Sequence, residues 1–340
     1  MMTGGLSEEH YCFPGFNVSC VRTQFSVGTK FALFMLFALS MGITILGNTV
    51  VIVSISHFKQ LHNPTNVLIL SLALVDLLVG VIVMPFSAIR TVHGCWFYGE
   101  VFCQLHSSFD MFLTTLSIFH LICIAVDRHE AICDPMHYSM KITMPVAWIM
   151  VCCSWALAAV YCFGLLYSKA SVAGLEDYIE SIYCLGSCYL LFNHLWGILD
   201  SILSFFFSCT VMIFLYTKIF IVAKAHAQKI GDVKKGTNEK GRAGLLKQSE
   251  HKAAKTLSIV LGAFIFCWMP FFTISLFEMI LGFSTPVAVF EAFFWLGYFN
   301  STLNPIIYAL FYPCFKKCFY CIITLKIFSP SSSTMNVAFK

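Results

Sequence analysis

Long apolar runs broken by short polar connections set the pattern of this chain. A helix needs about 20 mostly apolar residues to cross a bilayer. Seven stretches meet that length: Phe31–Ile55, Val67–Ile89, Gln104–Ile132, Val146–Tyr167, Leu190–Val222, Leu257–Leu281 and Val287–Phe311. The breaks are short except Lys169–Tyr189 and the Lys-rich Ala223–Lys255. After the seventh run, "YPCFKKCFYCIITLKIF" carries basic and apolar residues at helical spacing, which predicts a short helix lying in the membrane interface. The expected fold is therefore an all-α membrane protein, a seven-transmembrane helix bundle with a short interfacial eighth helix. Residues 1–30 would form an extracellular N-terminal segment, 31–311 the membrane domain, and 312–340 the eighth helix and a cytoplasmic tail. No soluble domain and no tandem repeat are visible.

Composition agrees with this reading. The 340 residues are 59% hydrophobic and only 11% charged, against about a quarter charged in a soluble domain. Sixteen cysteines do not mark a small secreted framework here, because most sit within apolar runs of a long chain. The opening "MMTGGLSEEH" is polar and acidic without an apolar core, so the first span is expected to direct insertion.

Charge gives the orientation, since Lys and Arg collect on the cytoplasmic side. With the N-terminus outside, the inner side holds Lys59, Arg128, Lys141, Lys316, Lys317, Lys326, Lys340 and the ten basic residues from Lys218 to Lys255. The outer side keeps Arg22, Lys30, Arg90 and Lys169. The sequon Asn17-Val18-Ser19 falls in the same outer segment, making Asn17 a glycosylation candidate.

Three acids lie deep within the apolar runs: Asp76, Asp110 and Asp200. An acid at the centre of a membrane helix costs roughly 2.5–3.5 kcal/mol on insertion scales, so each calls for a partner or a purpose. Asp110 lies in the first third of "SSFDMFLTTLSIFHLICIAVDRHEAIC" with no lysine or arginine nearby.

Short motifs fall in order on successive runs: Asn48 in "LGNTVV", Asp76 in "LALVD", "DRH" at Asp127–His129, Trp155, "FIFCWMP" at Phe264–Pro270 and "NPIIY" at Asn304–Tyr308. In these the chain resembles class A G protein-coupled receptors over nearly its whole length. Asp110 with Trp295–Tyr298 looks aminergic. The stretch "NSTLNPIIYALFYPCF" resembles the signature of trace amine-associated receptors, which detect volatile amines and polyamines. Cys314 departs from it, standing where the family pattern has Trp.

The resemblance implies roles residue by residue. Asp110 would be the counter-charge of an ammonium ligand; the alternative is a protonated aspartate hydrogen-bonded to Tyr298. Met111, Thr114, Trp268, Phe271, Phe272, Trp295 and Tyr298 would line the same pocket, the aromatic faces attracting the cation, unless they serve packing alone. Asp200 falls where catecholamine receptors carry a pocket-facing serine, so it would hold a second ammonium, or else a polar group of a monoamine. Asp76 with Ser117, Asn300, Ser301 and Asn304 resembles the family's sodium pocket, a hard-cation site of oxygen ligands; the alternative is a hydrated polar network. No other cofactor is expected.

Cys103 resembles the third-helix cysteine bridged to the second outer loop, with Cys188 as its partner. Cys184 resembles a cysteine bridged to the N-terminal segment, with Cys20 as partner and Cys12 as the alternative. At the inner end Arg128 would pair with Asp127 or Glu250 and be freed for a G protein on activation, with Tyr216 and Tyr308 filling the gap. Ile118 and Phe264 would repack during that change. Ser208 replaces the usual fifth-span proline, which puts the helix distortion there in doubt. Cys318 and Cys321 are either acylated or free thiols.

The expected function is a plasma-membrane sensory receptor for amines, diamines or polyamines foremost, coupled to a heterotrimeric G protein of the stimulatory type. Its other expected partner is membrane lipid; nucleic acid is not expected. The alternatives are a primary-monoamine receptor and, in a different class, an amine or proton transporter using the acids as a relay. No hydrolase elbow, phosphate-binding loop or metal-ligand spacing points to an enzyme.

Overall fold

The structure is a computed structural model that describes residues 10–16, 18–234, 242–282, 285–330 and 332–335, with the side chains of 226–234, 242–257 and 313 left undescribed. Asn17 and the side chain of Glu250 lie outside the described residues. Among the described residues, six helices are long and apolar enough to cross a membrane: Val27–His57, Pro64–His93, Glu100–Cys133, Met144–Tyr167, His194–Ala225 and Ser258–Leu281. Val287–Phe311 becomes the seventh when taken with the helix that follows it, from which it is bent by 102°. They are called the first to seventh spans below, and a separate helix, Pro313–Ile323, follows them.

Local chemistry sets where the spans begin. Ser26 caps the first, its Oγ accepting from the Thr29 N–H at 3.1 Å. Asn63 caps the second in the same way, ahead of Pro64, whose missing N–H costs nothing at a first helical position. The fifth span starts at His194, not at Leu190 as apolarity alone suggests. Asn193 is the reason: its Oδ1 accepts from Trp196 N–H at 3.0 Å, while its Nδ2 donates to the carbonyls of Ala170 and Ala173. Residues 190–193 are thereby kept as loop.

Two spans contain π-helical stretches, Val79–Val83 and Ser201–Phe207. The first precedes Pro85, which has no N–H to donate to the turn before it. The second shows that the fifth span keeps its distortion without a proline. Ser208 supports it by donating its Oγ to the carbonyl of Leu203, five residues back, at 3.4 Å. Pro270 and Pro305 lie inside the sixth and seventh spans.

The sixth span packs on the seventh, the first on the second and seventh, and the third on the second, fourth and fifth. Glycine permits one close approach that matters for the site. A Cβ on Gly297 would come within 2.6 Å of the Trp268 ring, so only glycine lets that ring lie against the seventh span. Cys318 and Cys321 are buried against the core, with their thiols away from the surface.

Candidate functional site

Three disulfides tie one face of the bundle together: Cys12–Cys95, Cys20–Cys184 and Cys103–Cys188. Cys12, the alternative partner for Cys184, instead joins the loop after the second span. The N-terminal segment also pairs by backbone, Tyr11 with Val21 and Ser19 with Leu185. Cys103–Cys188 fixes the last loop residues before the fifth span, and Leu190 and Phe192 then line a cavity. Either Cys103→Ala or Cys188→Ala is expected to lower surface delivery or agonist potency, because that loop loses its anchor. Mass spectrometry without reduction should find the Cys103–Cys188 peptide pair; a Cys103–Cys184 pair would contradict it.

The cavity is lined by Asp110, Met111, Thr114, Thr115 and Ile118 of the third span and by Asp200 and Ser204 of the fifth. Trp268, Phe271 and Phe272 of the sixth and Phe294 of the seventh complete the wall. No Lys, Arg or His is among these lining residues. Asp110 is buried and accepts a hydrogen bond from Tyr298 Oη on Oδ2 at 2.6 Å. Behind Tyr298 the chain of contacts continues to Ser87 Oγ at 3.2 Å and from there to His106 Nε2 at 3.3 Å. Asp200 is partly buried and accepts from Tyr161 Oη at 2.7 Å and from Ser204 Oγ at 2.9 Å. Both donors address Oδ1.

The aromatic residues form one connected wall. Phe205 stacks on Phe272 with centroids 4.5 Å apart, and Trp268 meets Phe272 at 5.9 Å. Phe294 contacts Phe271 and Tyr298 edge-on at 5.0 Å each. Trp295 is not among the cavity-lining residues. Its ring stacks on Phe37 at 3.7 Å and its Nε1 donates to Thr91, which fixes it between the first, second and seventh spans. Tyr298 touches the site through its hydroxyl. Sequence reasoning missed Tyr161, Ser204 and Phe294; only Ser204 had a signal, four residues after Asp200 on one helix face.

Deeper in the bundle, Asn304 Nδ2 donates to Asp76 Oδ2 at 2.8 Å. Asp76 Oδ1, Asn48 Oδ1, Asn300 Oδ1 and Asn304 Oδ1 are buried without a hydrogen-bond partner among the described residues. Ser117 and Ser301 are buried as well. Orphaned buried oxygens of this kind fit a hard cation or ordered water.

At the opposite face Arg128 is bound to Asp127, with Nε and the terminal nitrogen at 2.8 and 2.6 Å from Oδ2. Thr65 Oγ1 contacts both partners, and Tyr138 of the short helix Tyr138–Lys141 donates to Asp127 Oδ1 at 2.8 Å. Neither Thr65 nor Tyr138 was anticipated. The loop before that helix is held by Asp134, which accepts from His137 and Lys141; these contacts keep its carboxyl below the usual carboxylate range. Ile118 and Phe264 are fully buried in one core cluster, Tyr216 packs against it, and Tyr308 stacks on Phe315.

The family profile for the 7 transmembrane receptor (rhodopsin family) matches residues 47–308. The chain belongs to the rhodopsin family of seven-transmembrane receptors. Trace amine-associated receptor 13c of Danio rerio is 56% identical over 327 residues, covering 96% of each chain. Trace amine-associated receptor 4 of Rattus norvegicus is 45% identical over 333 residues, 97% of this chain and 96% of the relative. Trace amine-associated receptor 2 of Mus musculus is 44% identical over 321 residues. As a member of this group the chain is a multi-pass membrane receptor rather than an enzyme, with a small-molecule agonist and a heterotrimeric G protein as its partners.

Proposed function

We propose that this receptor responds to amines, and to diamines in preference, with one ammonium on Asp110 and the other on Asp200. The observation that carries the reading is a single cavity lined by two carboxylates and an aromatic wall, with no basic side chain among the described residues that line it. A charge-assisted contact to either acid is stronger in such a poorly hydrated site than in water. Asp110 would supply the anchoring counter-charge while Tyr298 holds its carboxylate in place. Asp200 would offer Oδ2, since Tyr161 and Ser204 use Oδ1. Those same donors favour a second reading, a monoamine receptor in which Asp200 is satisfied within the protein.

On this proposal the receptor sits in the plasma membrane with its bridged face extracellular. The distribution of Lys and Arg supports that orientation, and three disulfides suit an oxidising compartment. Agonist binding beside Trp268 would release Arg128 from Asp127 for a stimulatory G protein. A sodium ion would be held by Asp76, Asn300 and Asn304 with Ser117 and Ser301 nearby, supplying positive charge to an otherwise unpaired acid. A test separates the receptor from a transporter. Cells expressing the chain should raise a second messenger when given amines, without accumulating labelled amine. Uptake without a messenger response would overturn the proposal.

A further inference from the structure

Above the cavity, at the bridged end of the second and seventh spans, stands a pair of opposite charges that the amine site does not use. Arg90 Nε lies 3.7 Å from Glu291 Oε1. Thr91 Oγ1 donates to Glu291 Oε2 at 2.6 Å, and the Arg90 guanidinium carbon is 5.9 Å from the centre of the Phe294 ring. Phe294 is itself a wall of the cavity. The pair therefore borders the ligand space through one shared aromatic ring.

The side chains are 17% and 23% exposed, and the Arg90–Glu291 contact is long for an ion pair. Arg90 Nε has no hydrogen-bond partner among the described residues. What the pair does is put a charge beside Phe294, a wall of the cavity.

We infer that Arg90 is a specificity-determining resident cation that neutralises Glu291 and limits the positive charges a ligand brings into the cavity. The inference builds on the two-carboxylate reading. Two ammonium groups consume Asp110 and Asp200. Glu291 lies seven residues before Tyr298 on the same helix, about 10 Å further out at 1.5 Å per residue. An aminopropyl or aminobutyl extension adds about 5–6 Å from ordinary bond lengths, and the glutamate side chain reaches toward the remainder. A third ammonium placed there meets Arg90, a like charge, and is rejected. Without Arg90 it would meet a vacant carboxylate.

The test is a dose–response comparison of 1,5-diaminopentane with a linear triamine, on receptors matched for surface expression. Arg90→Gln should raise triamine potency relative to diamine potency about tenfold, the scale of one exchanged charge contact. Arg90→Lys, which keeps the charge but not the planar fork, should retain the wild-type ratio. Adding Glu291→Gln to Arg90→Gln should cancel the gain. Glu291→Gln alone leaves an unopposed cation and should lower triamine potency more than diamine potency, which keeps the test open if Arg90→Gln fails to reach the surface. An unchanged ratio in either single variant, or a gain that survives in the double variant, overturns the inference. If the wild type answers monoamines only, the two-carboxylate reading falls. The role of Arg90 is then read from the diamine-to-monoamine ratio, which Arg90→Gln should raise; a ratio that does not move overturns the inference.

Discussion

Asp110→Asn is expected to abolish the amine response while the receptor still reaches the cell surface. Asparagine has nearly the same shape, and its side-chain oxygen still accepts from Tyr298, which now donates to Oδ2 at 2.6 Å. The contact chain through Ser87 to His106 then keeps its far end. Only the counter-charge is removed. Losing one partner of a buried ion pair costs about 3–5 kcal/mol, which corresponds to a potency loss on the order of 10²–10³-fold. Surface labelling alongside a concentration–response curve separates binding from delivery. Unchanged amine potency in a well-delivered Asp110→Asn receptor would remove Asp110 from the site.

The membrane architecture was legible because span length is a property of composition alone. Val287–Phe311 agrees at both ends with its helix. The fifth span failed at its start because Leu190–Phe192 are apolar enough to pass for helix, while the deciding event is the Asn193 cap. Ser208 carried a similar lesson. The missing proline suggested that the distortion was in doubt, yet a hydroxyl reaching five residues back supports the same π-helical stretch. Asp110 and Asp200 were visible as unpaired acids within apolar runs. Their supporting groups were not, because Tyr298 is 188 residues from Asp110 and Tyr161 is 39 from Asp200. Cys12–Cys95 escaped notice for a related reason: sequence fixes neither disulfide connectivity nor which loops lie side by side. Trp295 had two readings, pocket wall or packing, and its stacking on Phe37 is a packing contact.

Asp200→Asn is expected to separate diamines from monoamines. The substitution keeps an oxygen for Tyr161 and Ser204 and deletes the charge. Diamines should lose potency strongly, by on the order of 10²-fold if the lost contact is a desolvated charge pair. Monoamines of matching length should lose little or gain, since their apolar tail no longer approaches an unpaired carboxylate. Raising the pH should weaken the wild-type response to diamines as their second amine deprotonates, and the mutant should be less sensitive. Fixed acids also prefer one spacing, so a series of α,ω-diamines should show an optimum that flattens in the mutant. The most direct measurement is the potency of one matched diamine and monoamine pair on wild type and Asp200→Asn. The account predicts a loss confined to the diamine; an equal shift for both ligands would contradict it.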